Sequence, residues 1–135
     1  MLKKTITYKD YNDNERTEDF YFNLSKAELM EMELSTTGGL AESIKNIVAA
    51  QDAPAIIKIF KDLILKAYGE KSPDGKRFMK EDDFGRHLFP KFRDTEAYSI
   101  LFMELSTDAE KAAAFINGIV PADAREAAKN ALPNT

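Results

Sequence analysis

The chain of 135 residues has no cysteine and a single histidine, His87. Without thiols there is no disulfide framework, no thiolate metal site and no cysteine nucleophile. A serine or threonine nucleophile would depend on that one imidazole. Long apolar runs are also missing. No window approaches the roughly 18 consecutive apolar residues that a membrane helix needs, and the opening MLKKTITYKDY is too charged to be a signal peptide. An excess of positive charge is lacking too: 19 Lys and Arg stand against 23 Asp and Glu, a net charge of −4, so the whole chain offers no electrostatic case for nucleic acid. Gly38-Gly39 has neither the preceding strand nor the following Lys-Ser/Thr of a phosphate-binding loop. The expectation is a soluble protein of a reducing, cytoplasmic compartment, with neither nucleic acid nor membrane as partner.

What is present is a globular composition, 44% hydrophobic and 31% charged, in a length that suits one domain. Residues 2–9 and 16–24 are expected as two strands. Leu2, Ile6 and Tyr8 share one parity, with Lys4 as the exception, and Phe20, Phe22 and Leu24 share another. The intervening YNDNE tolerates left-handed backbone and suits a hairpin turn. Ser25-Lys26-Ala27-Glu28 is a capping box that opens a helix to about Ser35, with Leu24 placed to staple to Leu29. Its apolar residues lie on two sides: Ala27, Met30 and Leu34 on one, Leu29 and Met32 nearly opposite.

After Thr36-Thr37-Gly38-Gly39, a short amphipathic helix is expected over 40–51 and a stronger one over 53–68, with Asp52 as its cap, Pro54 in its first turn and Gly69 as its stop. Residues 70–77 are expected as a loop around Pro73-Asp74-Gly75. A short helix is expected near 81–89, between the interruptions of Gly85 and Pro90. Two helices close the domain. The first, capped by Asp94 or Thr95, runs to about Leu105. The second opens at the Thr107-Asp108-Ala109-Glu110 box and ends near Gly118 and Pro121. The fold class expected is α+β, mainly α: an N-terminal β-hairpin, 2–24, followed by about five or six short helices in one domain over 1–120. Residues 121–135, alanine-rich and short of large side chains, are expected as a loosely structured tail.

No catalytic, cofactor or metal constellation stands out. Asp83 and His87, four apart, could share a helical face, but two ligands do not make a metal site. The acidic turn at 70–77 lacks the ligand ladder of a calcium loop. Carboxylate pairs such as Asp82-Asp83 are what chance produces among 23 acids.

Three segments taken together resemble a known family: YKDYNDNERTEDFYFNLSKAELMEMELST, then IIKIFKDLILKAYGEKSPDGKRF, then TEAYSILFMELSTDAEKAAAFINGIVP. In order and spacing, over about residues 3–121, they resemble the tail assembly chaperones of long-tailed bacteriophages and prophages of Gram-positive bacteria. The resemblance implies no catalysis and no cofactor. It implies a chaperone of the host cytoplasm that binds the tape measure protein, helps tail tube (major tail) subunits polymerise around it, and is absent from the mature virion. Many members of the family also make a longer product by ribosomal frameshifting. Ala128-Lys129-Asn130 could be encoded across a slippery heptamer, which would link the tail to a tube-binding domain. Self-association is left open. The competing reading is a structural tail component or another phage-encoded interaction protein.

Covering an apolar partner reversibly needs exposed apolar surface of moderate size. The apolar faces of 53–68 and of the hairpin can match most of the last two helices. The residues then in surplus are Ile100 and Met103, together with Leu29 and Met32 of the two-sided first helix, and these four are the candidate partner-binding residues.

Overall fold

The computed structural model describes residues 1–35, 46, 49, 50 and 53–121. Its elements run β1 (Leu2–Lys9), β2 (Glu15–Phe22), α1 (Lys26–Ser35), α2 (Ala53–Ala67), β3 (Tyr68–Lys71), β4 (Phe78–Met79), α3 (Phe89–Arg93), α4 (Glu96–Thr107) and α5 (Ala109–Ile119). The fold is α+β: an N-terminal hairpin extended into a small sheet, followed by helices packed on one face. The helix expected over 40–51 lies almost wholly outside the described residues, as do the cap expected at Asp52 and the tail after Pro121.

The four strands are antiparallel in the order β1-β2-β3-β4. In the hairpin Leu2 faces Phe22, Lys4 faces Phe20, Ile6 faces Glu18 and Tyr8 faces Arg16. Period-two alternation puts these eight on the inner face, where Ile6, Tyr8 and Phe22 are buried. The outer face is polar, with Thr5 Oγ1 bonded to Asp19 at 2.6 Å and the Thr7 and Thr17 hydroxyls 2.9 Å apart. Lys4, the exception in the sequence pattern, does lie on the inner face. Its ammonium reaches Glu104 of α4 at 3.1 Å, so the charge is paired at the rim rather than buried alone.

Against the inner face lie α4, which packs on β1, α2, α3 and α5, and α5, which also touches β1. Aromatic rings join these layers. Phe22, fully buried, meets Tyr68, Phe92 and Phe115 edge-on at centroid distances of 5.9, 5.5 and 5.4 Å. Phe92 stacks flat on Tyr68 at 4.9 Å and also meets Phe20 and Tyr98. Such pairs add about 0.5–1.5 kcal/mol each beyond their area burial.

The hairpin, α2, α4 and α5 form where the sequence pattern places them. The Ser25–Glu28 box also closes: Glu28 N–H donates to Ser25 Oγ at 3.1 Å, and Ser25 N–H donates to Glu28 Oε1 at 2.9 Å. The middle of the chain differs. Residues 70–71 belong to β3 rather than to a loop, and β4 follows at 78–79. No helix spans 81–89. Instead Leu88 N–H donates to Lys80 O at 2.9 Å and Asp82 N–H to Arg86 O at 2.8 Å, a small hairpin whose tip holds Gly85 in the left-handed region at φ 77°. Pro90 starts α3 instead of breaking a helix. The cap of α5 is Asp108, whose carboxylate accepts from the Glu110 and Lys111 amides, and not Thr107. Thr107 belongs to α4 and donates its hydroxyl to Met103 O at 2.7 Å.

Gly69 is not a helix stop. It sits in β3 opposite Tyr21, one residue into the strand. A Cβ there would lie 2.5 Å from the Phe78 ring and 2.6 Å from Met79 O. One contact is backbone and cannot swing away, so the position is glycine for want of space. Gly69→Ala should lower the unfolding free energy by about 1–3 kcal/mol in urea titration, the usual cost of overpacking. An unchanged midpoint would show that β4 is not held against β3.

Candidate partner-binding surface

Nothing among the described residues resembles an active centre. Among the described residues no three His, Asp or Glu side chains stand together as metal ligands, and no helix is long and apolar enough to cross a membrane. Asp83 and His87 are both exposed. The helix that would have paired them is absent, and His87 instead faces Glu81 across the small hairpin, its ring 5.4 Å from that of Phe89.

What the surface does offer is apolar side chains. On α4 the core side is Ala97, Leu101 and Leu105, all buried, with Tyr98 and Phe102 half-buried beside them. The opposite stripe carries Ile100, 41% exposed, and Met103, 57% exposed, one turn apart. Carboxylates bracket the pair and both are tied back to the hairpin: Glu96 accepts from the Tyr11 hydroxyl at 3.1 Å and Glu104 holds Lys4. The bond to Glu96 pushes the Tyr11 phenol above its ordinary pKa of 10.0.

On α1 the two apolar sides are resolved. Leu29 and Met32 are half-buried and pack against the core. Met30 and Leu34, one turn apart, face outward at 62% and 79% exposure. The capping box starts α1, and Lys80 pins it: the ammonium lies 3.3 Å from Glu28 Oε2 and donates to Asn23 O at 2.7 Å and Lys66 O at 2.5 Å. Burial lowers the Lys80 pKa, and Glu28 pulls it back up. The outward pair was missed in sequence, although one signal pointed to it. A staple from Leu24 to Leu29 turns Leu29 inward, and both residues do join the core.

Two further exposed aromatic residues, Tyr11 at 77% and Phe84 at 83%, stand at the tips of two turns built alike. In each, an aspartate carboxylate accepts from the amides two and four residues on: Asp10 from Asn12 and Asn14, Asp82 from Phe84 and Arg86. Each backbone also bonds back on itself from the third residue, Asp13 (φ 62°) or Gly85. Each aspartate binds an arginine, Asp10 Oδ2 at 2.6 Å from Arg16 and Asp82 Oδ2 at 2.8 Å from Arg86. The first turn fixes the register of the hairpin that carries the core.

Met30 with Leu34 on α1 and Ile100 with Met103 on α4 are thus exposed apolar pairs among the described residues. Over residues 1–135 the chain matches the family model described as phage tail assembly chaperone. The chain belongs to that family. No curated protein and no solved structure matches it.

The turns give a prediction about acid. The Arg16 side chain, with the Asn14 amide, holds Asp10 below its ordinary 3.8, and the Arg86 amide, with the Phe84 amide and the Arg86 side chain, does the same for Asp82. A carboxyl with a lowered folded pKa contributes stability that is fully present above 3.8 and is lost as pH falls through the lowered value. In an NMR pH titration, the amides of Asn12, Asn14, Phe84 and Arg86 should shift with a midpoint below 3.8. A midpoint at or above that value would contradict the turn geometry.

Proposed function

We propose that this tail assembly chaperone is a holdase for the tape measure protein, active in the host cytoplasm and left behind when the tail is complete. The supporting observation is the pair of outward apolar faces, Ile100 with Met103 on α4 and Met30 with Leu34 on α1, in a domain whose core is already closed by its aromatic rings. Half-buried Leu29 and Met32 line the inner side of the α1 face.

A tape measure chain is long, helical and prone to aggregate. Amphipathic helices dock on short apolar stripes of this kind, and flexible methionines tolerate variation along the client sequence. The carboxylates beside Ile100 and Met103 keep the face soluble when it is empty. In the same proposal the tail tube protein is recruited through a longer frameshifted form, whose extra domain would follow residues 121–135.

Co-expression with the adjoining tape measure gene tests the reading. The tape measure protein should become soluble and co-purify. Met103→Asp or Leu34→Asp should weaken the complex about tenfold or more, as loss of a central apolar contact does, with unchanged far-ultraviolet circular dichroism. Leu29→Asp should instead lower the thermal midpoint, because that side chain packs on the core. A tape measure protein equally insoluble with and without the chaperone would overturn the proposal.

A further inference from the structure

Strands β2 and β3 share only two residue pairs, Tyr21 with Gly69 and Phe22 with Tyr68. Beyond Gly69, β3 turns to pair with β4 through Glu70 and Lys71. The two strands therefore fork. Between them lies a cleft of about 350 Å³, walled by Glu18 to Tyr21 on one side and Tyr68 to Lys71 on the other. That volume is at the lower end of the range for binding pockets.

The β2 wall of the fork has unused hydrogen-bonding capacity. Asp10 N–H donates to Asn14 O, so Asn14 points its backbone groups at β1, whereas Asn23 N–H donates to Ala67 O, on the β3 side. Strand alternation then directs the N–H and C=O groups of Glu15, Thr17 and Asp19 away from β1, toward the open side of the fork. Among the described residues β1 pairs with this part of β2 on one side and no strand pairs with it on the other. Three donors and three acceptors are presented in register.

The walls also carry a sign. Glu18, Asp19 and Glu70 face a single cation, Lys71. Asp19 is engaged by Thr5, and Glu18 accepts from the Tyr8 hydroxyl. Tyr68 lines the same cleft, is 8% exposed, and its hydroxyl makes no hydrogen bond among the described residues. Burial first, then the charges of Glu70 and Glu18, push its phenol up to about 12. Glu18, Phe20, Tyr68 and Glu70 share the inner parity of their strands, so two carboxylates flank two aromatic rings. Such a setting suits an ammonium or guanidinium group.

We propose that this fork is a strand-addition site, taking one extended segment of a partner protein along the free edge of β2, with a lysine or arginine directed at Glu18, Tyr68 and Glu70. The backbone bonds supply sequence-tolerant affinity and the acidic pocket selects the side chain. The splay of β3 limits the slot to a single strand, which keeps a whole sheet edge from pairing there. The site is separate from Ile100 and Met103, so it stands or falls independently of the holdase reading.

Two capped heptapeptides test it, each of alternating threonine and valine, one with a central lysine and one with a central glutamate. They are titrated into the ¹⁵N-labelled full chain. The lysine peptide should shift and slow the exchange of the Glu15, Thr17 and Asp19 amides, and should bind at least tenfold more tightly than the glutamate peptide. Glu70→Gln, at an exposed position, should weaken the lysine peptide several-fold. Equal binding of the two peptides, shifts confined to other elements, or no shift with either at millimolar concentration would overturn the proposal. The comparison of peptides on the unaltered chain needs no variant to fold.

Discussion

The contact between Phe22 and Phe92 is the one on which the other layers depend. Both rings are buried, 5.5 Å apart and nearly perpendicular. Phe22 brings in β3 through Tyr68 and α5 through Phe115, while Phe92 brings in α4 through Tyr98. Phe22 can reach that position only in one hairpin register, because a slip of one residue would send it to the solvent face. The register is set at the Asp10 turn, far from the rings in space but only a strand's length away in sequence. Turn chemistry thus decides which rings meet, and the rings decide where the helices sit.

A second, electrostatic tie completes the frame. Lys80 gathers the end of β2, the last turn of α2 and the start of α1 around one ammonium group. Two of its partners are carbonyls, which would otherwise have to find water, and the third is the glutamate that also caps α1. Its lowered pKa records the cost of partial burial, which the Glu28 charge offsets only in part. With α1 held at its base, its outer side remains available. Outside the aromatic core and the lysine tie, Met30, Leu34, Ile100 and Met103 are left exposed, as are Met1, Tyr11, Ile57 and Phe84.

Much of this was legible in the sequence, for identifiable reasons. The hairpin alternates over eight residues per strand, long enough for a period of two to show. On α4, buried Ala97, Leu101 and Leu105 repeat every four residues and mark Ile100 and Met103 as outside. By contrast β3 and β4, of four and two residues, are too short to show a period, and their pairing is decided by Phe78 lying over Gly69. Around Phe84 a helix was expected because apolar spacing carries no information about an aspartate that binds its own loop. The α1 face was ambiguous because a helix apolar on both sides has no preferred direction until something fixes its base. The fork is a property of how strands diverge, and no local pattern encodes it.

The five methionines provide the most direct test of whether surplus surface, rather than the core, meets the client. Met30 and Met103 face outward, whereas Met32 and Met79 pack against the core. With ¹³C-methyl methionine in the chain and the tape measure protein added, the Met30 and Met103 signals should shift or broaden while those of Met32 and Met79 keep their positions. Movement of the Met32 and Met79 signals with Met103 unchanged would mean that the client opens the core instead of docking on its outside, and would contradict this picture of the protein.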